Sequence, residues 1–278
     1  MFLLQLRHEL WKLFGKKRTY LGFGMFLLAQ GVILLVFRYS RASRGMGDLL
    51  DNNGYNAADF LSPLTAAAFA NLWLAYLLLP LYGTLIGGDL VAKEAEDGTL
   101  RMILARPISR CRLLALKWVT GALFSLVLTG AMGLTGLALG LLIFPWGGLF
   151  VFIPGDLFGV FPASDGLGRY VAAHGLMAVK ATTVMSLAFA FGCFPVKPAA
   201  ATILALSFIF LNFILMNIPW FADLKPWFLT YHLNLWQQVY VQPVPWPRLG
   251  ESLSLLAGFN ATFFALGVAA FGVRDLKS

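Results

Sequence analysis

Six stretches of this chain are each long and apolar enough to cross a bilayer as a helix, for which about 20 apolar residues suffice. They run Thr19–Phe37, Leu64–Gly88, Leu113–Phe144, Tyr170–Phe194, Ala199–Ile218 and Ser252–Val273. The residues between them are too few for a soluble domain. With 59% of residues hydrophobic and 12% charged, no soluble core could hide this much apolar surface. The expectation is an all-α, polytopic membrane protein forming one domain over residues 1–278. The third stretch exceeds one crossing, so it should tilt or extend beyond the bilayer. Pro80 should kink the second.

Six spans put both termini on one side. Lys and Arg number fourteen on the face of the termini and six on the other, with Lys180 inside a span. That excess places both termini in the cytoplasm of a cell (inner) membrane. The net charge of +8 therefore reads as topology and lipid contact, and no nucleic-acid partner is expected. Residues 1–18 lack the pattern of a cleavable signal. Leu3, Leu6, Leu10, Leu13 and Phe14 recur at helical spacing among basic residues, which describes an amphipathic helix in the interface. A plain basic flank of the first span is the alternative.

The segment Ser40–Pro63 reads as a polar surface loop. Pro145–Arg169 is rich in Phe, Gly and Pro, and 219–247 in tryptophan and proline. The second of these holds Trp220, Trp227, Trp236 and Trp246. Tryptophan favours the membrane–water boundary, so both should fold back onto the interface or re-enter it.

The charged loop 89–112, continuing to Lys117, carries the functional argument. Lys93, Glu94, Ala95, Glu96 and Asp97 extend the second helix. Gly98 is free to end it at positive φ. Thr99 can cap a short helix in which Leu100, Ile103 and Leu104 share one face. Arg101 and Arg106 lie elsewhere on its surface, and Pro107 stops it. A soluble partner gripping those apolar knobs could move two spans together. A helix that merely rests on lipid is the other reading.

The run Glu94, Ala95, Glu96, Asp97, Gly98, Thr99, Leu100, Arg101, followed by Leu104, Ala105, Arg106, Pro107, Ile108, Ser109, Arg110, resembles the signature loop of type-2 (ABC-2) ABC exporter permeases. There an acidic pair precedes Gly-Thr-Leu, a short helix follows, then Pro-x-Ser-Arg. The layout is also similar: six spans, an amphipathic N-terminal helix, a long outer segment before the last span, and a short tail through Arg274 and Asp275. The resemblance implies a permease paired with a second copy or a related permease subunit, docked on separate ABC ATP-binding subunits. Glu94, Glu96, Gly98, Thr99, Leu100 and Arg101, with Ile103 and Leu104, would make the ATPase-coupling contact. The N-terminal helix would be a second contact. No Gly-x-x-x-x-Gly-Lys-Ser/Thr run occurs, so ATP and Mg would be held by the partner and no cofactor by this chain.

Inside the spans, Lys180 is the residue to weigh. A charge there faces a bundle interior or a cavity, so Lys180 is a candidate for the substrate path; a snorkelling or carbonyl-bound lysine is the alternative. His174 reads as structural. Gln30, Asn71, Asn212, Asn217 and Asn260 read as helix glue, and Gly136 with Gly140 as a close-approach pair. No catalytic nucleophile with a local base and no metal cluster stands out among His8, His174, His232, Cys111 and Cys193. An ion-driven secondary transporter would want Asp or Glu well inside a span, and none lies there. A lipid-modifying enzyme is the third possibility.

Overall fold

The computed structural model describes residues 2–104 and 108–274, apart from the side chains of Arg18, Arg101 and Leu104. The expected helix stop at Pro107, the placement of Arg106 and the tail residue Asp275 lie outside the described residues. The architecture is all-α and polytopic. Helix α1 (Phe2–Phe14) leads into α2 (Lys17–Tyr39), then α3 (Arg41–Asn52), α4 (Ala57–Phe60), α5 (Pro63–Tyr76), α6 (Leu78–Glu96), α7 (Thr99–Leu104) and α8 (Arg110–Ile143). A hairpin of β1 (Leu149–Ile153) and β2 (Leu157–Phe161) follows, then α9 (Ala163–Cys193) and α10 (Pro198–Asn217). Short helical turns at Pro219–Trp227 and Leu235–Tyr240 flank α11 (Leu229–His232), and α12 (Trp246–Val273) closes the chain.

Among the described residues, five helices are individually long and apolar enough to span a membrane: α2, α8, α9, α10 and α12. The bent pair α5 and α6, which meet at 47°, passes the same test together and makes a sixth crossing when taken as one span. The break at Leu77 follows from Pro80. Proline has no N–H to donate to the Tyr76 carbonyl, and its ring crowds that carbonyl, so the helix yields just ahead of it.

Helix α9 is the axis of the bundle, buried over most of its length and packed by α6, α8, α10 and α12. Lipid gives helices no hydrophobic reason to associate, so close backbone approach and internal hydrogen bonds must hold them. Gly87 shows the first device: a Cβ there would sit 2.3 Å from the Met185 carbonyl oxygen. Gly136 and Gly140 do the same for α8. A Cβ on Gly136 would press on the amides of Gln30 and Asn71, and one on Gly140 would press on the backbone of Pro63.

The second device is a polar network deep between α2, α5, α8 and α9. Gln30 Nε2 donates to Asn71 Oδ1 (2.8 Å) and to the Met132 carbonyl (2.6 Å). Asn71 Nδ2 reaches Tyr170 Oη and His174 Nε2, both at 3.0 Å. Tyr170 donates to the Gly133 carbonyl, and His174 Nδ1 faces the Tyr170 carbonyl at 2.7 Å. Because an amide nitrogen only donates, Nε2 accepts and Nδ1 carries the imidazole proton. A second network ties α8, α9 and α12 through Trp118, Ser186, Asn260 and Thr183. Asn212 joins α10 to Thr230, whereas Asn217 bonds only its own helix at Phe213.

The face opposite the termini is more ordered than a set of loops. Ser40–Pro63 is mostly helical: the Ser40 hydroxyl caps α3, and Met46 and Leu50, four residues apart, turn inward. Pro145–Arg169 forms the hairpin and the first turns of α9, which begins seven residues before the expected Tyr170. Arg169 gathers this cap. It pairs with Asp165, donates to the carbonyls of Val239 and Val241, and lies over the Phe161 ring. Segment 219–245 folds back along the bundle. His232 bonds Ser252, and Gln237 reaches Tyr76, 13 residues (about 20 Å of helix) from the start of α5. Trp220, Trp227 and Trp246 stay exposed as an interface belt would, but Trp236 is core.

Gly87→Ala should destabilise the detergent-solubilised protein by more than the ordinary overpacking cost of about 1–3 kcal/mol, read as a lowered thermal midpoint, because backbone opposes the added methyl. Gly24→Ala, with nothing within 4 Å of the new carbon, should leave it unchanged or raised.

Candidate functional site

The face that carries the termini is where the charged loop folds. Helix α6 ends at Glu96 with Asp97 as its cap, and Gly98 turns the chain at φ +71°. Thr99 is the first residue of α7. Its hydroxyl donates back to the Glu94 carbonyl (3.3 Å), so it serves one of the open carbonyls at the end of α6. Leu100 is buried with Leu90, Val91, Leu113 and Leu114, and Ile103 packs at the margin of the same cluster. Of the expected apolar face of α7, Leu100 thus rests on its own bundle, and Ile103 is partly covered beside it. The side chains of Arg101 and Leu104 lie outside the described residues. What the loop presents is Met102, two-thirds exposed, and the carboxylates of Glu96 and Asp97, both paired with Lys93.

Glu94 differs most from its sequence reading. It is 5% exposed and turned inward, at the centre of four alternating charges. Lys12 of α1 bonds Glu94 Oε1. Lys117 of α8, fully buried, approaches Glu94 Oε2 at 2.6 Å and Glu9 of α1 at 3.2 Å. That contact is an ion pair. Each central charge meets two of opposite sign, which a buried charge requires to offset its desolvation. The quartet is neutral and joins α1, α6 and α8. A nearby crevice of about 20 Å³, reached by Glu9, Lys12, Asp89 and Glu94, has room for about one water.

Further ties bind the same face. Arg112 Nη2 donates to Gln5 Oε1 of α1 at 2.9 Å. Arg110 Nη1 donates to the carbonyls of Phe271, Gly272 and Arg274, which are the open end of α12. Arg274 in turn donates to the Phe194 carbonyl at the end of α9. Guanidinium groups suit helix C-termini, where partial negative charge and unbonded carbonyls collect. Between α1 and α7 an open groove of about 510 Å³ remains, lined by Gln5, His8, Glu9, Ile103, Ile108 and Leu116 among others.

These contacts unite the residues of one loop with a helix some ninety residues earlier. A search with protein-family models supplies the decisive comparison: the model of the ABC-2 family transporter protein matches residues 23–243, well over half the chain. The chain belongs to the ABC-2 transporter family. It is a transmembrane permease, a membrane subunit of an ABC transporter, and multi-pass in the membrane. Among curated proteins, a protein of Bacillus subtilis (strain 168) described as "Uncharacterized protein YhcI" is 35% identical over 72 residues. That match covers 26% of this chain and 23% of the relative, so the chain spans about a quarter of the relative's length there.

For this ABC-2 permease the loop residues divide by orientation. Glu94 and Leu100 point in, Gly98 and Thr99 make the turn, and Glu96 points out. Lys12 and Lys117 enter the sequence reading only as topology charges, Glu9 has no role there, and Arg110 stands only in the family-like loop. Lys180 lies far from this face, on α9, with its Nζ 5.0 Å from the centre of the Tyr76 ring.

Glu94→Ala should destabilise the permease by about 3–5 kcal/mol, since it strands Lys117 in a dry site with Glu9 alone. The double substitution Glu94→Ala/Lys117→Met should recover much of that loss. Thermal unfolding of both variants in the same detergent checks the ordering.

Proposed function

We propose that this permease is the membrane half of an ATP-driven exporter, with the termini and the α7 face in the cytoplasm and docked on separate ATP-binding subunits. The observation that carries this reading is the way α7 is mounted. Leu100 fixes it to the bundle, Glu94 fixes α1 and α8 to the same place, and among the described residues the outward side is left to Met102, Glu96, Asp97 and the groove beside α1. A soluble ATPase seated there would push on α1, α6, α7 and α8 as one body. Glu94 and Leu100 then act as positioning residues for the coupling element, and Gly98 and Thr99 set its angle. Glu96, Met102 and the groove make the contact itself, with Arg101 and Leu104 retained on the strength of the family loop.

ATP and Mg would be bound by the partner subunits, and the permease would pair with a second copy or a related subunit to enclose a path. Lys180 is the candidate for that path. A buried cation between helices favours a cargo with an anionic or amphiphilic character.

Affinity purification from the native host, followed by an ATPase assay, tests the coupling. Met102→Glu should weaken ATPase association at least tenfold, about 1.4 kcal/mol, while leaving the thermal midpoint unchanged because Met102 is exposed. Leu100→Asp should lower both, as it buries a charge. A partner that stays bound and fully active with Met102→Glu would remove α7 from the contact.

A further inference from the structure

Lys180 is 3% exposed, and among the described residues no carboxylate pairs with it. Its ammonium lies against Tyr76, the last residue of α5, where the sixth span breaks. Tyr76 is 42% exposed, so the C-terminal, negative pole of α5 lies at the edge of the bundle beside Lys180, which suits a cation at that spot. The Tyr76 hydroxyl leads the other way. It accepts a hydrogen bond from Gln237 Nε2 at 2.8 Å.

Gln237 belongs to the segment that folds back from the distal face. It also lines a cavity of about 330 Å³ whose walls include Asp156, Asn234, Gln238 and Arg248. Gln238 Oε1 is buried in that wall with no hydrogen-bond partner. The contacts therefore run from the cavity through Gln237 to the half-exposed Tyr76 and on to the buried Lys180. The segment has other anchors. His232 bonds Ser252, Thr230 bonds Asn212, and Arg169 holds the carbonyls of Val239 and Val241. Breaking the Gln237–Tyr76 bond would free the end of α5 without unfolding the segment. One neutral hydrogen bond at a helix break is a weak closure, as a gate needs.

We propose that Tyr76 and Gln237 form a latch separating the distal cavity from an anion-receptive site at Lys180. The latch rests on the export reading for its purpose, and on geometry alone for its existence. Cargo would pass it with its anionic group against the Lys180 ammonium.

Labelling from the distal side tests both parts without knowing the cargo. In a Cys111→Ser/Cys193→Ala background, Lys180→Cys is exposed to membrane-impermeant methanethiosulfonate reagents in sealed vesicles of one orientation. Labelling should be slow, and at least tenfold faster when Gln237→Ala or Tyr76→Phe is added. The two variants remove the same bond from opposite ends, and Tyr76→Phe keeps the ring, so a common result is not a folding artefact. Equal rates in all three would overturn the latch. Tyr76→Cys then reports charge: the anionic sulfonatoethyl reagent should outpace the cationic trimethylammonioethyl reagent at least fivefold, and Lys180→Gln should abolish that preference. A preference that is absent, or unchanged by Lys180→Gln, would overturn the anion site. Met102→Glu should not alter these resting rates, so a failed ATPase contact and a failed latch read out separately.

Discussion

A hydrocarbon chain cannot accept or donate a hydrogen bond, so every polar group that this permease carries into the bilayer must find its partner within the protein. The arrangement of helices follows from that demand. Gln30, Asn71, Tyr170 and His174 come from three helices and close their donors and acceptors on one another and on two carbonyls of α8. Such a network is satisfied only in one register, so it fixes how α2, α5, α8 and α9 lie together. The glycines of α6 and α8 let the backbones come near enough for the bonds to form.

At the face of the termini the same demand is met with full charges. Glu94 and Lys117 are too deeply placed for water to screen, and each takes two partners. The result is a stiff junction rather than a hinge. Arg110 and Arg274 extend it to the ends of α12 and α9. In an exporter whose energy arrives from a separate subunit, stiffness at the point of arrival is useful, and compliance belongs elsewhere. The broken span at Leu77 and the single bond between Gln237 and Tyr76 are the compliant places.

Sequence patterns carried part of this. Span length and composition located the five spanning helices and the bent pair α5–α6, because apolar length is a local property. Pro80 announced the break, and Gly98 its positive φ, for the same reason. The orientation of Glu94 was not legible: its partners lie 82 residues upstream at Lys12 and 23 downstream at Lys117, and no local period records them. Leu100 was read as an outward knob because helical spacing defines a face without saying what covers it. The hairpin had a signal that went unused, two runs of five residues rich in Phe and Val around Pro154, Gly155 and Asp156. Helix α3 had one as well, in the spacing of Met46 and Leu50 beneath a polar composition.

The length of α8 has a mechanical consequence. Its first turns hold the face of the termini through Arg110, Arg112 and Lys117, and its far end meets Pro63 through Gly140. At 34 residues it is a rod of about 51 Å, so a tilt of about 5° pivoting at one end sweeps the other by roughly 4 Å. A push too small to disturb the charge quartet would thus arrive at the distal cap amplified, as displacement on the scale of a side chain. The leverage is set by the number of residues in one uninterrupted helix, and it explains why a proline is tolerated in the neighbouring span while α8 carries none.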